Sequence, residues 1–424
     1  MVYHRRAVDT LLDTLLPHSA AIAIEGPKAV GKTETALQRV DTTLHLDDPQ
    51  MQQQFLADPT GALTQPGSIL IDEWQQAPQS WNIVRHAVDD GAQPGKYLLT
   101  GSATPREGTG THSGAGRILT VRMRPMAVFE RPGSPTPVIS MQELLDGTAL
   151  GGLTATGGVT GESTWGLSDY YRAIAQSGFP ELLGLPPQIR TANLDSYVQR
   201  IVDRELPDQG YAVRDKARLL GWLRSYAAAT STTSTYETIL SGATTADGDK
   251  PTKRTTYVYR HKLSEIWMLD PVPAWNLVRS PLARVVGAPK HQVADPALAL
   301  RLLGVSETML GTPRFSHLTG PLLESLATLS VRAAAEANFA HVGHLRTQAG
   351  EHEVDLIVEG QDGQVIGVEV KLTAAPTDSD VTQLNWLRHQ IPDDITDLVI
   401  LTTGNRAYRR PDGILVCPLP LLGA

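Results

Sequence analysis

The chain has 424 residues, 41% hydrophobic and 19% charged, which gives enough apolar material for several packed cores and excludes wholesale disorder. Its 45 acidic residues outnumber its 37 basic ones, and the net charge of -8 excludes a protein that coats nucleic acid over its whole surface. The only cysteine, Cys417, excludes an intramolecular disulfide, and the absence of a run of about 18 apolar residues excludes a membrane span. Charges among residues 1–13, where a secretory leader needs an unbroken apolar run, argue against such a leader. We therefore expect a cytoplasmic protein of about three domains.

Residues 1–130 alternate short β-rich runs with helical stretches, the pattern of a parallel α/β sheet. The predicted helices are residues 32–40 and 80–89, and the predicted strands are residues 20–26, 44–47, 68–73, 97–102 and 117–123. Residues 131–167 are rich in Pro, Gly, Thr and Ser, which predicts a linker that packs no core, with one short helix near residues 141–145.

Residues 168–312 are predicted to be mainly helical, because apolar side chains recur there at spacings of three and four. Ser234 and Glu237 predict a capped helix, and residues 255–269 predict a second helix after a long loop. Basic residues gather in this region, at Lys250, Lys253, Arg254, Arg260, Lys262, Arg279, Arg284 and Lys290.

Two helices, a basic surface and a following β-like stretch fit a winged-helix-like domain that binds DNA through residues 250–290. A helical spacer with a solvated basic face, or a protein-docking unit, is the alternative. Residues 313–424 begin with an apolar helix, residues 320–334, and end in an α/β pattern. Its strands are predicted at residues 341–346, 353–359, 365–372, 398–402 and 414–418, and its second helix at residues 380–389.

A phosphate-binding loop of the form G-x-x-x-x-G-K-T lies between the first predicted strand and helix, at Gly26, Pro27, Lys28, Ala29, Val30, Gly31, Lys32 and Thr33. Glycines let backbone N–H groups approach phosphates, and the following helix N-terminus faces their charge. We expect this loop to bind ATP, with Lys32 on the β and γ phosphates and the Thr33 hydroxyl on Mg²⁺. A chance glycine-rich turn is the alternative, and the flanking strand and helix argue against it.

Polar groups that ATP hydrolysis needs follow the next strands. Asp72 is predicted to hold Mg²⁺ and Glu73 to orient the attacking water, unless the strand merely ends in solvated acids. Thr100 and Ser102 lie where a hydroxyl would sense the γ phosphate. Arg117 is a candidate catalytic positive charge, with a solvated arginine at the start of a strand as the equal alternative, and Arg106 is a weaker candidate.

The C-terminal part carries a D…E-x-K pattern formed by Asp355, Glu369 and Lys371. If the two strands form a hairpin, the carboxylates of Asp355 and Glu369 can share one Mg²⁺, with Glu324 from the preceding helix as a further ligand. Lys371 would then activate water or stabilise the transition state. This is the arrangement of restriction-endonuclease-like nucleases, although an exposed Glu/Lys strand face is its ordinary explanation.

With these motifs in place, the whole chain resembles the large family of bacterial and archaeal AAA-type ATPases that carry a domain of unknown function after the ATPase core. The resemblance rests on residues 26–33, 70–73, 99–103, 116–118, 177–180, 197–206, 288–291 with Asp295, and the set Glu324, Asp355, Glu369 and Lys371. It implies an α/β protein with a P-loop ATPase domain (1–130), a linker (131–167), a helical, winged-helix-like domain (168–312) and a restriction-endonuclease-like domain (313–424). Glu205 replaces the aspartate usual in that family, and residues 150–163 resemble an insertion.

These observations favour an ATP-hydrolysing protein that couples nucleotide state to a DNA-directed module, with a possible Mg²⁺-dependent nuclease site. The alternative is a nucleotide-gated switch or scaffold that binds a protein partner and carries an inactive nuclease-like domain. An oligomer is compatible with both, since Arg117 can act within its own subunit or on a neighbour. A small-molecule kinase is disfavoured, because no acceptor-site motif accompanies the phosphate loop.

Overall fold

The computed structural model describes residues 3–102, 114–155, 157–243, 250–275, 287–347 and 350–424. Its N-terminal part is a five-stranded sheet whose strand pairs are all parallel, in the order β2-β3-β4-β1-β5. The elements are α1 (Ala7–Leu15), β1 (Ala21–Glu25), α2 (Lys32–Leu37), β2 (Thr42–His45), α3 (Pro49–Ala57), α4 (Pro59–Leu63), β3 (Ile69–Asp72), α5 (Gln79–Asp89), β4 (Tyr97–Gly101) and β5 (Leu119–Arg122).

The central strands of this sheet are apolar on both faces. Every residue of β1, β3 and β4 is buried, as expected for parallel strands that are covered by helices on each side. Because β4 lies between β3 and β1, the carboxyl ends of these three strands meet at one edge. The predicted P-loop NTPase sheet is confirmed, and this edge holds the polar residues that follow the strands.

The predicted linker, residues 131–167, connects the N-terminal sheet to the helical middle part and packs into the C-terminal part. It forms β6 (Ile139–Ser140), α6 (Met141–Leu145) and β7 (Val159–Glu162). β6 pairs with the last strand of the chain, and β7 forms one edge of the C-terminal sheet. The expectation that this composition packs no core is wrong for Ile139, Met141 and Leu144, which are at most 1% exposed.

The middle part is helical, with α7 (Leu167–Gln176), α8 (Pro187–Arg200), α9 (Leu206–Asp208), α10 (Lys216–Ala228), α11 (Tyr236–Gly242), α12 (Lys253–Glu265), α13 (Pro296–Leu302) and α14 (Glu307–Leu310). Helix α11 is capped by the Thr235 side chain, which accepts the N–H of Thr238, so the predicted Ser234 cap is wrong by one residue. Helix α12 starts after Thr252 and ends at Glu265, since Trp267 has a left-handed φ of 61° that no helix continues. The winged-helix assignment stays a prediction.

The C-terminal part contains a seven-stranded sheet in the order β7-β12-β13-β11-β10-β9-β8. A long, largely buried helix precedes all of these strands except β7 in the chain. Its elements are α15 (Ser316–Ala337), β8 (His341–Arg346), β9 (Glu353–Glu359), β10 (Val365–Lys371), α16 (Thr382–Gln390), β11 (Ile395–Thr402), β12 (Arg406–Arg409), β13 (Leu415–Pro418) and β14 (Leu422–Gly423). Strands β9 and β10 form the predicted antiparallel hairpin. Of the helices within the described ranges, none has both the length and the apolarity to cross a membrane.

A buried ionic network joins the three parts. Asp270, just after α12, lies 2.9 Å from an Arg122 nitrogen, 2.8 Å from Arg124 Nε and 2.9 Å from Arg332 Nη1. Arg124 also pairs with Glu336 of α15. Burial alone would raise the pKa of Asp270, but the three guanidinium groups outweigh burial and hold that pKa well below its ordinary value.

Candidate functional site

The phosphate loop connects β1 to α2, and the backbone at two of its positions requires glycine. A Cβ atom on Gly26 would lie 2.1 Å from the Met123 carbonyl oxygen, so only glycine fits there. Gly31 has a left-handed φ of 96° and forms the N-cap of α2. The loop therefore runs close to the backbone that follows β5, and its shape depends on both glycines.

Lys32 lies inside this loop, with 6% of its surface exposed. Its Nζ donates hydrogen bonds to the carbonyl oxygens of Gly26 (2.9 Å) and Pro27 (2.8 Å). Burial lowers the pKa of Lys32 to about 8, against the opposing charges of Glu73 and Asp72. The ammonium group is thus held inside the loop by two backbone carbonyl groups.

Asp72 ends β3 and connects the predicted metal-binding and sensing residues. Its Oδ1 accepts hydrogen bonds from the hydroxyls of Thr33 (2.7 Å) and Thr100, and His45 Nδ1 lies 3.1 Å from its Oδ2. A hydroxyl beside a carboxylate is the hard-oxygen donor set that suits Mg²⁺, so these residues fit the ion that the sequence predicts. A carboxylate oxygen of Asp47, one of Asp72 and a ring nitrogen of His45 are also close enough to one another to share one ion.

Glu73 follows Asp72 in a left-handed conformation with φ 52°, which turns its side chain away from the strand direction. Gln75 donates a hydrogen bond to Glu73 Oε2, and the Ser102 hydroxyl lies 3.4 Å from the same oxygen. Burial raises the pKa of Glu73, with Lys32 opposing the shift. Glu73, Ser102 and Lys32 all line one cavity of about 910 Å³ above the phosphate loop.

The remaining predicted residues of this site lie differently. Lys28, Ala29 and Val30 form the middle of the loop. The Lys28 ammonium group pairs with the carboxylate of Glu205, in the middle part, at 2.9 Å. Arg117 does not line the cavity, and its Nε donates to Asp89 at 2.8 Å. Asp89 thus holds Arg117 outside the cavity of its own subunit in this structure, and the assignment of Arg117 as a catalytic positive charge, in its own subunit or on a neighbour, stays a prediction.

Sequence reasoning missed the part of the cavity wall that comes from outside the ATPase sheet. Tyr3 and Arg6 contribute from the N-terminus, and Tyr197 and Arg200 contribute from α8. The Tyr197 hydroxyl lies 3.4 Å from the Lys28 carbonyl oxygen, so α8 touches the phosphate loop directly. Residues 197–206 are one of the segments on which the family resemblance rests, and this was the signal in the sequence that could have predicted their contribution to the cleft.

The C-terminal acids converge as the D…E-x-K pattern predicts. Strand pairing places Leu356 opposite Val368, which brings Asp355 beside Glu369 and lets Asp355 Oδ2 accept the Val370 N–H at 3.0 Å. Lys371 Nζ donates to Glu369 Oε2 at 2.6 Å.

Glu324, on the buried α15, completes this carboxylate cluster. Burial, with the Asp355 charge as a second cause, raises the pKa of Glu324 to about 8 and that of Glu369 well above its ordinary value. His352 lies beside the cluster and hydrogen-bonds through Nδ1 to Gln383 Oε1 at 2.9 Å.

Lys290 enters this cluster from the middle part, and its side chain is fully buried. Its Nζ lies 2.8 Å from Glu324 Oε1, 3.1 Å from Asp355 Oδ1 and 3.4 Å from Glu353 Oε1. Lys290 therefore does not belong to the basic surface predicted for residues 250–290. That assignment is wrong for this residue, because backbone pairing with Val272 carries it inward.

The rest of the basic region lies on and around α12. Arg260 stacks over the ring of Tyr236 at 4.2 Å and faces Tyr257 at 5.2 Å, and Tyr257 is 60% exposed. Lys253 and Lys262 pair with nearby glutamates. Arg279, Arg284 and the weaker arginine candidate Arg106 lie outside the described residues.

The fold and the nucleotide cleft define the N-terminal part as a P-loop ATPase domain. Residues 18–131 match a family model described as an AAA domain, and this match supports ATP binding and hydrolysis. Residues 167–309 and 319–422 match two models described as domains of unknown function, DUF8612 and DUF4143. The predicted P-loop ATPase domain is thus supported, and the nuclease-like nature of the last domain stays a prediction.

Two relatives resemble the chain over almost its full length. They are uncharacterized proteins of Mycobacterium bovis and Mycobacterium tuberculosis, each 24% identical over 432 residues that cover 99% of this chain and 84% of the relative. A solved structure, the Walker-type ATPase of Pyrococcus abyssi, is 11% identical, with a TM-score of 0.32 over 71% of this chain and 96% of that one.

Proposed function

We propose that this protein is an ATP-hydrolysing switch whose nucleotide state is transmitted to the middle and C-terminal parts. The observation that carries the proposal is the convergence of Thr33, Asp72 and Thr100 beside the phosphate loop, with Glu73 next to them. In this proposal Lys32 holds the phosphates and Thr33 and Asp72 hold Mg²⁺. Glu73 orients the water, and Thr100 and Ser102 respond to the γ phosphate.

Contacts between the parts supply a route for that transmission. Glu25, at the end of β1, pairs in register with Arg122 of β5, and Arg122 reaches Asp270. Asp270 in turn contacts Arg332 on α15. On the other side of the cleft, Glu205 holds Lys28 of the phosphate loop. A change in loop geometry thus acts on both remaining parts through paired charges.

The first experiment measures phosphate release from ATP by the wild type and by Lys32→Ala. We expect the wild type to turn over ATP in the presence of Mg²⁺ and the variant to lose turnover. Lys216→Ala is the matched control, since Lys216 is an exposed lysine that pairs with Asp203 and does not line the cavity; Arg117→Ala is a separate test, since Asp89 holds Arg117 away from the cavity of its own subunit. Turnover that survives Lys32→Ala would refute the proposal. A concentration-dependent loss in Arg117→Ala would instead assign that arginine to a neighbouring subunit.

We further propose that the switch acts on DNA in the cytoplasm through the α12 surface. Charge supports this assignment, since Lys250, Lys253, Arg254 and Arg260 gather there in a chain that is acidic overall. The exposed Tyr257 ring beside Arg260 adds a stacking surface for a base. Anisotropy of labelled single- and double-stranded DNA, at several salt concentrations, tests the assignment in the double variant Lys253→Ala/Arg254→Ala.

The control for DNA binding is Arg406→Ala, which removes an exposed arginine on the C-terminal sheet. Equal affinity of both variants for DNA would refute the α12 surface. If the wild type binds no DNA, the alternative gains: a nucleotide-gated scaffold whose α12 surface docks a protein partner.

The C-terminal acids give the second candidate activity, Mg²⁺-dependent DNA cleavage. The approach of Asp355 to Glu369, with Lys371 alongside, supports it. Cleavage of linear, circular and single-stranded DNA is compared between wild type and Asp355→Ala, with and without ATP. Cleavage that is lost in the variant would assign a nuclease, and absence of cleavage would favour the inactive nuclease-like domain.

A further inference from the structure

The oxygens of the C-terminal carboxylate cluster, formed by Glu324, Asp355 and Glu369, are already largely engaged. Asp355 Oδ1 faces Lys290 and Oδ2 accepts the Val370 N–H. Glu324 Oε1 accepts from Lys290, and Glu369 Oε2 accepts from Lys371. Within the described ranges, Glu369 Oε1 is the one buried oxygen of this cluster that lacks a hydrogen-bond donor. A divalent ion at this cluster would need the oxygens of Glu324 and Asp355 that Lys290 Nζ already contacts, so the ion and the ammonium group compete for one place.

Lys290 is held in this position by its own backbone. Its N–H and carbonyl exchange hydrogen bonds of 2.9 Å with Val272, and the neighbouring His291 N–H donates to the Thr232 carbonyl oxygen at 2.8 Å. Every residue from 290 to 300 is buried. The lysine is therefore part of a core segment, whereas a mobile inhibitory loop would have an exposed backbone.

The charges in the cluster also suit an internal cation. Three carboxyl groups with little exposed side-chain surface, those of Glu324, Asp355 and Glu369, face two ammonium groups, those of Lys290 and Lys371. Glu353, which is more exposed, adds a fourth carboxylate at 3.4 Å. Buried charges of one sign persist when paired charges of the other sign surround them.

We infer that Lys290 is the resident cation of the C-terminal carboxylate cluster, in the place that a divalent metal would take. Its ammonium group ties the segment after α12 to α15 and to the β9–β10 hairpin. The cluster then acts as an ionic clamp between the middle and C-terminal parts. This inference does not depend on ATP hydrolysis, and it favours the non-cleaving version of the C-terminal domain.

The test is Mn²⁺ binding followed by the electron paramagnetic resonance of the free ion, with MnCl₂ as the only ligand. All proteins carry Asp72→Asn, which removes the carboxylate of the nucleotide cleft from the measurement. We expect no ion at the cluster while Lys290 is present. We expect one ion per chain in Lys290→Met, and loss of that ion when Asp355→Asn is added.

Two results would overturn the inference. One is Mn²⁺ bound to the chain with Lys290 intact and lost on adding Asp355→Asn, since the ammonium would then not exclude the metal. The other is a folded Lys290→Met protein that binds no Mn²⁺, since the cluster would then not be a cation site.

Urea denaturation covers the case in which Lys290→Met folds poorly. We expect Lys290→Met to lower the urea midpoint and added Glu324→Gln to recover part of the loss, because fewer unpaired carboxylates are then buried. Lys262→Met is the matched control, since Lys262 is a partly exposed lysine paired with Glu265. A loss in Lys290→Met no larger than in that control would contradict the clamp.

Discussion

Replacing Asp270 by asparagine tests whether the buried ionic network holds the three parts together. The substitution keeps the size of the side chain and leaves the guanidinium groups of Arg122, Arg124 and Arg332 without their shared carboxylate. Removing one partner of a buried ion pair costs about 3–5 kcal/mol. Arg124 keeps Glu336 as a partner and Arg122 is partly exposed, so we expect the lower end, about 3 kcal/mol. Urea denaturation of both proteins measures this loss.

The pH dependence of the loss has a defined sign. The folded-state pKa of Asp270 is lowered, so its contribution to stability is present above the unfolded value of about 3.9 and is lost as the pH falls through the folded value. The difference between wild type and Asp270→Asn should therefore be undiminished at neutral pH and close only in strong acid.

Asp195→Asn is the control for this experiment. Asp195 pairs with Arg301 at 2.9 Å, but half of its side chain is exposed, so its loss should cost less than about 1 kcal/mol. If Asp270→Asn cost no more than Asp195→Asn, the network would not hold the parts together and the reasoning would be refuted.

Three further substitutions or modifications have expected outcomes. Glu73→Gln should keep ATP affinity but lower turnover by roughly 10²–10⁴-fold, measured as phosphate release against binding of a fluorescent nucleotide; unchanged turnover would remove Glu73 from water activation. Gly178→Ala should lower stability by about 1–3 kcal/mol in urea, because the new Cβ would lie 2.5 Å from the Met126 carbonyl oxygen; an unchanged urea midpoint would contradict this close contact. Cys417 is buried, and burial raises the pKa of its thiol, so a thiol reagent should label it only in denaturant; rapid labelling of the native protein would show that β13 opens.

The sequence predicted the nucleotide cleft well, because local patterns determine it. Continuous apolar runs predicted the buried parallel strands, and the phosphate loop and Asp72 follow β1 and β3 directly. Once the strands are parallel, their carboxyl ends share one edge. The hairpin that brings Asp355 to Glu369 was predictable for the same reason, since only a short turn separates the strands.

Contacts between distant segments were not predictable from local patterns. Lys290 is one of eight basic residues in its region, and nothing in its neighbourhood distinguishes it as buried. Val159–Glu162 reads as a Gly/Thr-rich loop, and it becomes a strand only by pairing with β12, more than 240 positions further along the chain. The ion pair between Arg117 and Asp89 joins two segments that no local pattern connects, so the sequence did not predict it. In all three cases the outcome depends on contacts with a distant segment, and a local sequence pattern does not contain that information.

The threading of β6 and β7 into the C-terminal part has a consequence for the order of folding. β6 pairs with Leu422–Gly423 and β7 with β12, so these strands find their partners only when the end of the chain has been synthesised. Contacts of such long sequence separation form slowly, and unpaired strand edges are prone to aggregate while they wait. A ribosome-bound chain that ends before residue 400 should therefore hold a formed ATPase sheet and an exposed segment from 139 to 162. Residues 406–423 therefore complete the packing of a segment synthesised much earlier.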